Sequence, residues 1–164
     1  CWYFNKKFEL SAIELLPDFT ITEIIIKDKV LRIMGIGGAV SIDRAKQKEN
    51  GTYFLGEEFP YLDNYDFLHH DFNLDILVTH TCPAGCWPIM KSPEDVQEYS
   101  KTDTTLYAEL YTERYRVKEV VDKILEYNPK ITSYYYGHFH FSHQSSYLER
   151  NVRLLNKEEL LFHP

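Results

Sequence analysis

Short runs of apolar and β-branched residues, separated by polar turns, predict several strands along this chain. Residues 20–26 and 30–36 are rich in β-branched side chains and flank the polar segment 27–29, so they predict a β-hairpin with a short turn. Residues 74–79, with the sequence LDILVT, form an apolar run that is typical of a fully buried strand. Residues 131–136 predict a further strand.

Two helices are predicted between the strands at 74–79 and 131–136. Ser92 and Pro93, followed by two acidic residues, combine a cap residue with proline at the first helical position, which indicates a helix start. A longer helix is predicted up to Asn128, because apolar residues recur at spacings of three and four. These residues are Leu106, Leu110, Val117, Val120, Val121, Ile124 and Leu125.

The polar residues 41–51 lead into an aromatic stretch at 53–72, which we interpret as loop and short helix packed on the core. Tyr107, Tyr111 and Tyr115 recur every four residues on the long helix. We expect these tyrosines to pack against the aromatic stretch.

The last part of the chain predicts a second hairpin. Residues 145–149 and 152–155 read as its strands, with the turn at Arg150 and Asn151, and a final strand is predicted at 160–162. The sequence has no internal repeat, low-complexity segment or Gly/Ser linker, so we expect residues 1–164 to form a single domain. Strands with inserted helices predict a layered α/β fold.

The composition mainly excludes two classes of binding partner, nucleic acids and membranes. The net charge of -7, from 18 Lys and Arg against 25 Asp and Glu, gives no electrostatic attraction for nucleic acid as a passively bound polyanion. No apolar stretch approaches the roughly 20 residues of a membrane span, so we expect a soluble protein with no membrane partner. Cys1, Cys82 and Cys86 are too few for a disulfide-stapled domain, which predicts a reducing, cytoplasmic location.

Imidazoles follow both central strands. His80 comes directly after the first strand, and His138 and His140 follow the second. A helical crossover makes such strands parallel, so their carboxyl ends meet at the edge of the sheet where ligands bind. Alternate residues of an extended segment share one side, so His138 and His140 would serve one metal ion or two adjacent ions. The alternative is that these are ordinary surface or hydrogen-bonded histidines.

The loop after His80 raises a second possibility. Cys82 and Cys86 have a spacing that fits a structural zinc site completed by two histidines. Both cysteines lie in one loop with Pro83 and Gly85, and a second thiolate pair is absent. Packing thiols are therefore the alternative.

Three other features are candidates for binding phosphate. Gly37 and Gly38 would bring backbone amides against an anion, although a tight turn is the simpler interpretation. Arg44 would bind a phosphate oxygen through its planar guanidinium, or lie at the surface. His143 would contact substrate or support the other histidines, or be solvated.

Three segments together resemble the calcineurin-like metallophosphoesterase family. They are residues 37–44 (GGAVSIDR), residues 75–81 (DILVTHT) and residues 136–140 (YGHFH). The resemblance extends over nearly the whole chain. It implies a layered β-sandwich flanked by helices and a dinuclear centre of manganese, zinc or iron, where a metal-activated hydroxide hydrolyses phosphate esters. By this resemblance, His80 and His138 ligate one metal and His140 the other.

The amino-terminal motifs of that family, DxH, GDxxD and GNHD, have no counterpart here. They supply the carboxylates, an asparagine ligand and the histidine that assists the leaving group, so no catalytic residue is identified in this chain. It resembles the carboxyl-terminal part of the domain, without the amino-terminal strands. Three neutral imidazoles offset none of the four positive charges of two divalent cations, so at most one ion is expected to bind well.

Three functional hypotheses follow from these patterns. The first is a metal-dependent phosphoesterase that is impaired or inactive as this chain, with a phosphate ester as substrate. The second is a non-catalytic scaffold or binding module with at most one metal, and the third is structural zinc at Cys82 and Cys86. Absent strands would leave edges and apolar faces uncovered, so we also expect an oligomer or a partner polypeptide.

Overall fold

The computed structural model describes residues 16–54, 56–88 and 93–155, which form a mixed α/β fold around a six-stranded sheet flanked by helices. The order of the strands across the sheet is β1-β2-β3-β4-β6-β5. The strands are β1 (Ile21–Ile26), β2 (Lys29–Ile36), β3 (Ile76–Thr79), β4 (Ser133–Tyr136), β5 (His143–Tyr147) and β6 (Arg150–Leu154).

The two predicted helices are confirmed, and a further short helix is present. The helices of the described segments are α1 (Arg44–Glu49), α2 (Pro93–Ser100) and α3 (Leu106–Tyr127), with a 3₁₀ helix at Asp66–Leu68. The predicted end of the long helix before Asn128 is confirmed. The sequence did not predict α1 within the polar segment 41–51. Arg44 is the one buried residue of this helix, so the helix gives no apolar periodicity.

The centre of the sheet is parallel. β3 pairs in parallel with β2 and β4, and β4 pairs in parallel with β6, whereas β1 and β5 are antiparallel to their neighbours. Thr79 and Tyr136, the last residues of β3 and β4, are direct partners in the register. The predicted parallel pairing of the strands that precede His80 and His138 is therefore confirmed, and their carboxyl ends lie at one edge.

α3 covers one face of the sheet and supplies a large part of the core. Met34, Leu77, Tyr134 and Val152 are register partners across four strands and belong to one buried apolar cluster. The α3 side chains of that cluster confirm the predicted apolar stripe. They are Val117, Val120, Val121, Ile124 and Leu125.

A second row of residues lies on the opposite face of the sheet. Gly35, Val78 and Tyr135 are register partners there, and Val78 is 39% exposed. Among the residues that the structure describes, all strands belong to this one sheet, so these residues do not form the second layer of the β-sandwich implied by the resemblance.

The turn of the second hairpin differs from the prediction. It lies at Leu148 and Glu149, and the predicted turn residues Arg150 and Asn151 belong to β6. Tyr147 pairs with Arg150, which leaves a two-residue loop whose φ angles are 46° and 62°. Positive φ at both central residues is the property of a type I′ turn, whose twist matches that of paired strands. Asparagine is common in turns, but Asn151 lies in a strand, so its residue type placed the predicted turn too late in the chain.

The prediction for the three tyrosines of α3 is wrong. Tyr107, Tyr111 and Tyr115 are each more than half exposed, at 55%, 51% and 51%. The rings of Tyr111 and Tyr115 contact each other instead, with centroids 4.7 Å apart. Their spacing of four places them on one side of the helix. Their exposure shows that this side lies away from the buried stripe.

Some predicted features lie outside the described residues. They are the cap residue Ser92, Cys1 and the strand at 160–162. Within the described segments, no helix combines the length and the apolar character needed to cross a membrane.

Asn128 joins the end of α3 to the loop that precedes β3. Its side chain is fully buried, its Oδ1 accepts the Phe72 N–H at 2.7 Å, and its Nδ2 donates to the carbonyls of Ile124 at 2.9 Å and His70 at 3.3 Å. A buried asparagine with these partners satisfies backbone groups that would otherwise lose hydration without replacement.

We expect Asn128→Ala to lower the free energy of unfolding by about 1–3 kcal/mol, because it leaves the buried Phe72 N–H without its acceptor. Urea unfolding followed by circular dichroism measures this change. Asn151→Ala, at an exposed position of β6, is the matched control and should change stability by less than about 0.5 kcal/mol. Equal effects of the two substitutions would contradict the assigned role.

Candidate functional site

The candidate site is built where β2, β3 and β4 end. The His80 N–H donates to the Ile36 carbonyl at 2.9 Å, and the His80 carbonyl accepts the Gly137 N–H at 3.1 Å. These bonds extend the parallel pairing beyond the strand ends, so the backbone fixes His80 and His138 side by side. Nε2 of His80 lies 3.2 Å from Nδ1 of His138, and the ring centroids are 5.0 Å apart. The predicted meeting of these two histidines is found.

The segment that carries His138 and His140 is not extended, contrary to the prediction. The Phe139 N–H donates to the Gly137 carbonyl at 2.9 Å, and the enclosed His138 has a φ of 71°. This is a γ-turn of the rare and strained form with positive φ. His140 also has a positive φ, of 58°. His138 and His140 are thus non-glycine residues with positive φ, and His138 belongs to the candidate ligand pair. Backbone strain of this kind is typical of functional segments.

The electrostatic surroundings favour the neutral form of His80. Partial burial lowers the pKa of this imidazole, and the nearby His140 lowers it further, because a second positive charge there would repel the first. A neutral imidazole has a lone pair available for a metal ion. His140 therefore lies close enough to act on His80 electrostatically.

The histidine pair fits one divalent metal ion in donor chemistry, although the ligand set is incomplete. The two ring nitrogens are within hydrogen-bond distance of each other, and their separation is also close to the roughly 3 Å between two imidazole nitrogens bound to one ion at about 2.0–2.1 Å each. Among residues 16–54, 56–88 and 93–155, no group of three or more His, Cys, Asp or Glu side chains is arranged to hold an ion. The pair alone is two ligands, and His140 does not complete a three-residue set.

A cleft of about 230 Å³ is lined by His138 and His140, whereas His80 does not line it. Its walls come from the loops that follow β2, β3 and β4 and from helices α2 and α3. Its polar side chains include Ser41, Asp43, Thr81, Glu113, His138 and His140. The cleft therefore lies at the carboxyl edge of the parallel strands, where ligands bind in open α/β sheets.

Glu113 ties one wall of the cleft to α3. Its buried carboxylate accepts the Val40 N–H at 2.6 Å and is also hydrogen-bonded to the Phe59 N–H. Burial raises the pKa of this carboxyl to about 7, and the two backbone amides act against that rise. The carboxylate is thus engaged in holding two loops.

Arg114 ties the loop after His80 to the same helix. Its Nη2 donates to the carbonyls of Cys86 at 2.8 Å and Pro83 at 3.1 Å. Sequence reasoning missed Glu113 and Arg114. The sequence did contain a signal for them. Positions 113 and 114 continue the spacing of the apolar residues of α3, yet both are charged, and charged residues are rarely buried unless they have partners.

Arg44 is a buried ion-pair centre. It is 3% exposed, and its Nε and Nη2 contact both carboxylate oxygens of Asp103 at 2.5 and 3.2 Å. It also donates to Glu109, to Thr105 at 2.9 Å and to Glu58 at 3.5 Å. These contacts join α1 to the segment between α2 and α3. They favour a structural role over the predicted contact with a phosphate oxygen.

The glycine pair after β2 is used for close packing. A Cβ on Gly38, which has a φ of 79°, would lie 2.2 Å from the Glu58 carbonyl oxygen. The Gly37 N–H already donates to the Asp18 carboxylate at 2.5 Å. The tight-turn interpretation therefore describes this segment better than an anion site.

The two cysteines of the loop after His80 are buried in the apolar core, at 0% and 2% exposure. Burial raises the pKa of both Cys82 and Cys86 to about 12. Among the described residues, these cysteines belong to no group of three or more His, Cys, Asp or Glu side chains that could hold an ion, which favours packing thiols over a structural zinc site.

His143 is the first residue of β5 and is exposed. Its ring lies 5.5 Å from that of Trp87, and the Phe141 ring lies 6.4 Å from Trp87. His143 therefore belongs to an aromatic group with Trp87 and Phe141, which the sequence did not indicate.

Comparisons of the chain with protein-family models, with curated proteins and with solved structures gave no match.

The Arg44–Asp103 pair generates a prediction about acid stability. Arg44 lowers the pKa of Asp103 to about 2, so the pair stabilises the fold above about pH 4 and loses this effect as the pH falls towards 2. We expect Asp103→Asn to lower the free energy of unfolding by about 2 kcal/mol at pH 7, with a smaller difference at pH 3. Urea unfolding at both pH values tests this. The exposed Asp63→Asn is the control, and a pH-independent difference for Asp103→Asn would count against the assigned pairing.

The cysteine surroundings generate a second prediction. We expect Cys82 and Cys86 to resist iodoacetamide in the folded protein at pH 8, because few of their thiols are ionised at that pH. Peptide mass spectrometry after labelling, with and without 1,10-phenanthroline, measures this, and a urea-unfolded sample is the positive control. Labelling that appears only with the chelator would instead establish a zinc site.

Proposed function

We propose that this chain contributes the histidine ligands of the metal centre in a calcineurin-like, metal-dependent phosphoesterase. The observation that carries the proposal is the 3.2 Å separation of His80 Nε2 and His138 Nδ1 at the carboxyl edge of two parallel strands. The three sequence segments that resemble the family support it, because two of them contain these histidines.

The surroundings of the pair support a role in binding a reacting group. Backbone hydrogen bonds hold both residues in place, and the γ-turn at His138 stores strain that the fold compensates elsewhere. A fixed pair loses little conformational entropy when it binds a ligand. The cleft lined by His138 and His140 gives room for a phosphate ester.

A bound divalent ion would supply Lewis-acid chemistry, by neutralising charge on phosphate oxygens and by lowering the pKa of water. The residues of this chain would hold that ion through His80 and His138. His140 lines the same cleft as His138, so it would contact a phosphate ester bound there.

The incomplete ligand set favours a second candidate, a binding module that holds one ion without catalysis. Two imidazoles without a third group among the described residues bind a metal more weakly than the three or four protein ligands of typical sites. The two functions share the same ion site and differ in whether phosphate esters are hydrolysed there.

The test is to load the full chain with manganese or zinc, desalt it, and measure metal per chain by elemental mass spectrometry. We expect one ion per chain at most, and we expect His138→Ala to weaken binding by at least about tenfold, since even indirect partners of a ligand contribute that much. Hydrolysis of p-nitrophenyl phosphate and of bis(p-nitrophenyl) phosphate is measured on the same samples.

The control variant is His70→Ala, which removes an exposed imidazole on the loop before β3. Metal-dependent hydrolysis that His138→Ala abolishes and His70→Ala retains supports the phosphoesterase. Metal binding with the same variant pattern and no hydrolysis supports the binding module. Equal metal content in all three proteins would refute the site.

A further inference from the structure

We propose that the outer edge of β1 is an interaction surface for a second copy of this chain, whose own β1 pairs with it antiparallel about a twofold axis. This pairing joins the six-stranded sheets of the two copies into one continuous sheet. The inference does not depend on the proposed function, because β1 contributes no residue to the cleft or to the histidine pair.

The first step is the free backbone along the outer side of β1. Arg32, the register partner of Glu23, turns its backbone towards β3, since its N–H donates to the Asp75 carboxylate at 2.8 Å and its carbonyl accepts the Asp75 N–H at 2.9 Å. Arg32 and Glu23 are therefore a pair without mutual backbone bonds, and such pairs alternate with bonded ones. The N–H and carbonyl groups of Ile21, Glu23 and Ile25 thus point away from β2. No strand of the described segments pairs with them.

The second step is the apolar character of this edge. Ile24 is 42% exposed and Ile25 is 74% exposed, and as neighbours in a strand they lie on opposite faces of the sheet. Val30, the register partner of Ile25, is 50% exposed. Edge strands are ordinarily protected from pairing by prolines, bulges or several charges. β1 pairs with β2 in an unbroken register, contains no proline and carries one charge, at Glu23. This edge therefore favours pairing with another strand.

The third step is the contrast with the other edge of the sheet. β5 has the sequence HQSSY, in which four of the five side chains are polar. Such side chains give an added strand little apolar surface to bury. A twofold pairing of β1 with β1 covers the apolar edge of both copies and leaves only the polar β5 edges outside. The closed pair is thus favoured over an open-ended fibre.

The fourth step is the register of the pairing. The residues that exchange backbone bonds must be those whose groups point outward, so Glu23 faces Ile21, Glu23 or Ile25 of the second copy. Glu23 opposite Glu23 places like charges against each other, which is destabilising. Glu23 opposite Ile21 pairs residues 21–23 only, whereas Glu23 opposite Ile25 pairs residues 22–26 of the two copies. The geometry and the charge together select the last of these registers.

This register places Ile24 of each copy opposite the other on the twofold axis. The two form a pair without mutual backbone bonds, with Cα atoms about 4.5 Å apart. They lie on the sheet face that carries Val78, so the exposed apolar surface of that face becomes continuous between the copies. Lys27 of one copy lies diagonally from Glu23 of the other, where opposite charges attract. Pairing therefore combines backbone hydrogen bonds, apolar burial and complementary charge.

The first experiment is sedimentation equilibrium of the full chain over a range of concentrations, which should show a monomer–dimer equilibrium. Ile24→Lys places two ammonium groups opposite each other and removes the central apolar contact, so it should raise the dissociation constant at least about tenfold. Leu148→Lys changes another exposed apolar side chain, in the turn before β6, and is the matched control that should leave the constant unchanged. Circular dichroism verifies that each variant is folded.

The second experiment tests the register by a gain of signal. In a Cys1→Ser background, Ile24→Cys should form a disulfide between two chains under mild oxidation, because its expected Cα separation lies within the range of disulfides. Thr22→Cys is the control. The two Thr22 positions are offset by four residues along the paired strands, about 13 Å, which is too far for a disulfide. Non-reducing electrophoresis measures both variants, in which Cys82 and Cys86 stay buried.

The outcomes decide the proposal. A dimer that Ile24→Lys dissociates and Leu148→Lys retains, with crosslinking at position 24 and not at position 22, supports it. A monomer at every concentration, a series of larger open-ended species, or a dimer that both lysine variants retain overturns it. Crosslinking at position 22 in preference to position 24 also overturns it, because that result is incompatible with the twofold pairing of β1.

Discussion

The backbone pairing at the carboxyl edge of the sheet is the constraint on which the candidate site depends. The bonds from His80 N–H to Ile36 and from Gly137 N–H to the His80 carbonyl continue the parallel register beyond the strands. On the far side, the Leu155 N–H donates to Tyr136 at 2.8 Å in the same manner. Three loops therefore leave the sheet from positions that the backbone fixes, and the separation of the imidazoles follows from the spacing of neighbouring strands.

Charges on the helices hold these loops in place. Glu113 accepts a hydrogen bond from a backbone amide of the loop after β2, and Arg114 donates hydrogen bonds to carbonyls of the loop after β3. Arg44 joins α1 to the start of α3 through Asp103 and Glu109. A buried charge is costly unless all of its hydrogen-bonding capacity is used. These hydrogen bonds favour one arrangement of the loops, and loss of Asp103 would remove much of what compensates the buried charge of Arg44.

The sequence predicted the parts of this structure that depend on local periodicity. The β1–β2 hairpin, the buried strand at β3 and the apolar stripe of α3 each have a clear spacing, and the crossover rule then placed His80 beside His138. The partners of Arg44 could not be read in this way, because Asp103 and Glu109 come from distant segments. The γ-turn at His138 and the turn at Leu148 also left no signal, since neither uses glycine or asparagine where φ is positive.

The acidic side chains of the cleft form hydrogen bonds within the protein. Asp43 interacts with the Ser41 hydroxyl at 2.5 Å and the Gln47 amide at 2.9 Å, and Glu113 is occupied by backbone amides. Both carboxylates thus serve the loops, which leaves the imidazoles of His80 and His138 as the donors that face each other. Neutral ligands leave the full double charge on a divalent ion. The same charge that weakens retention of the ion by this pair would strengthen its attraction for a phosphate.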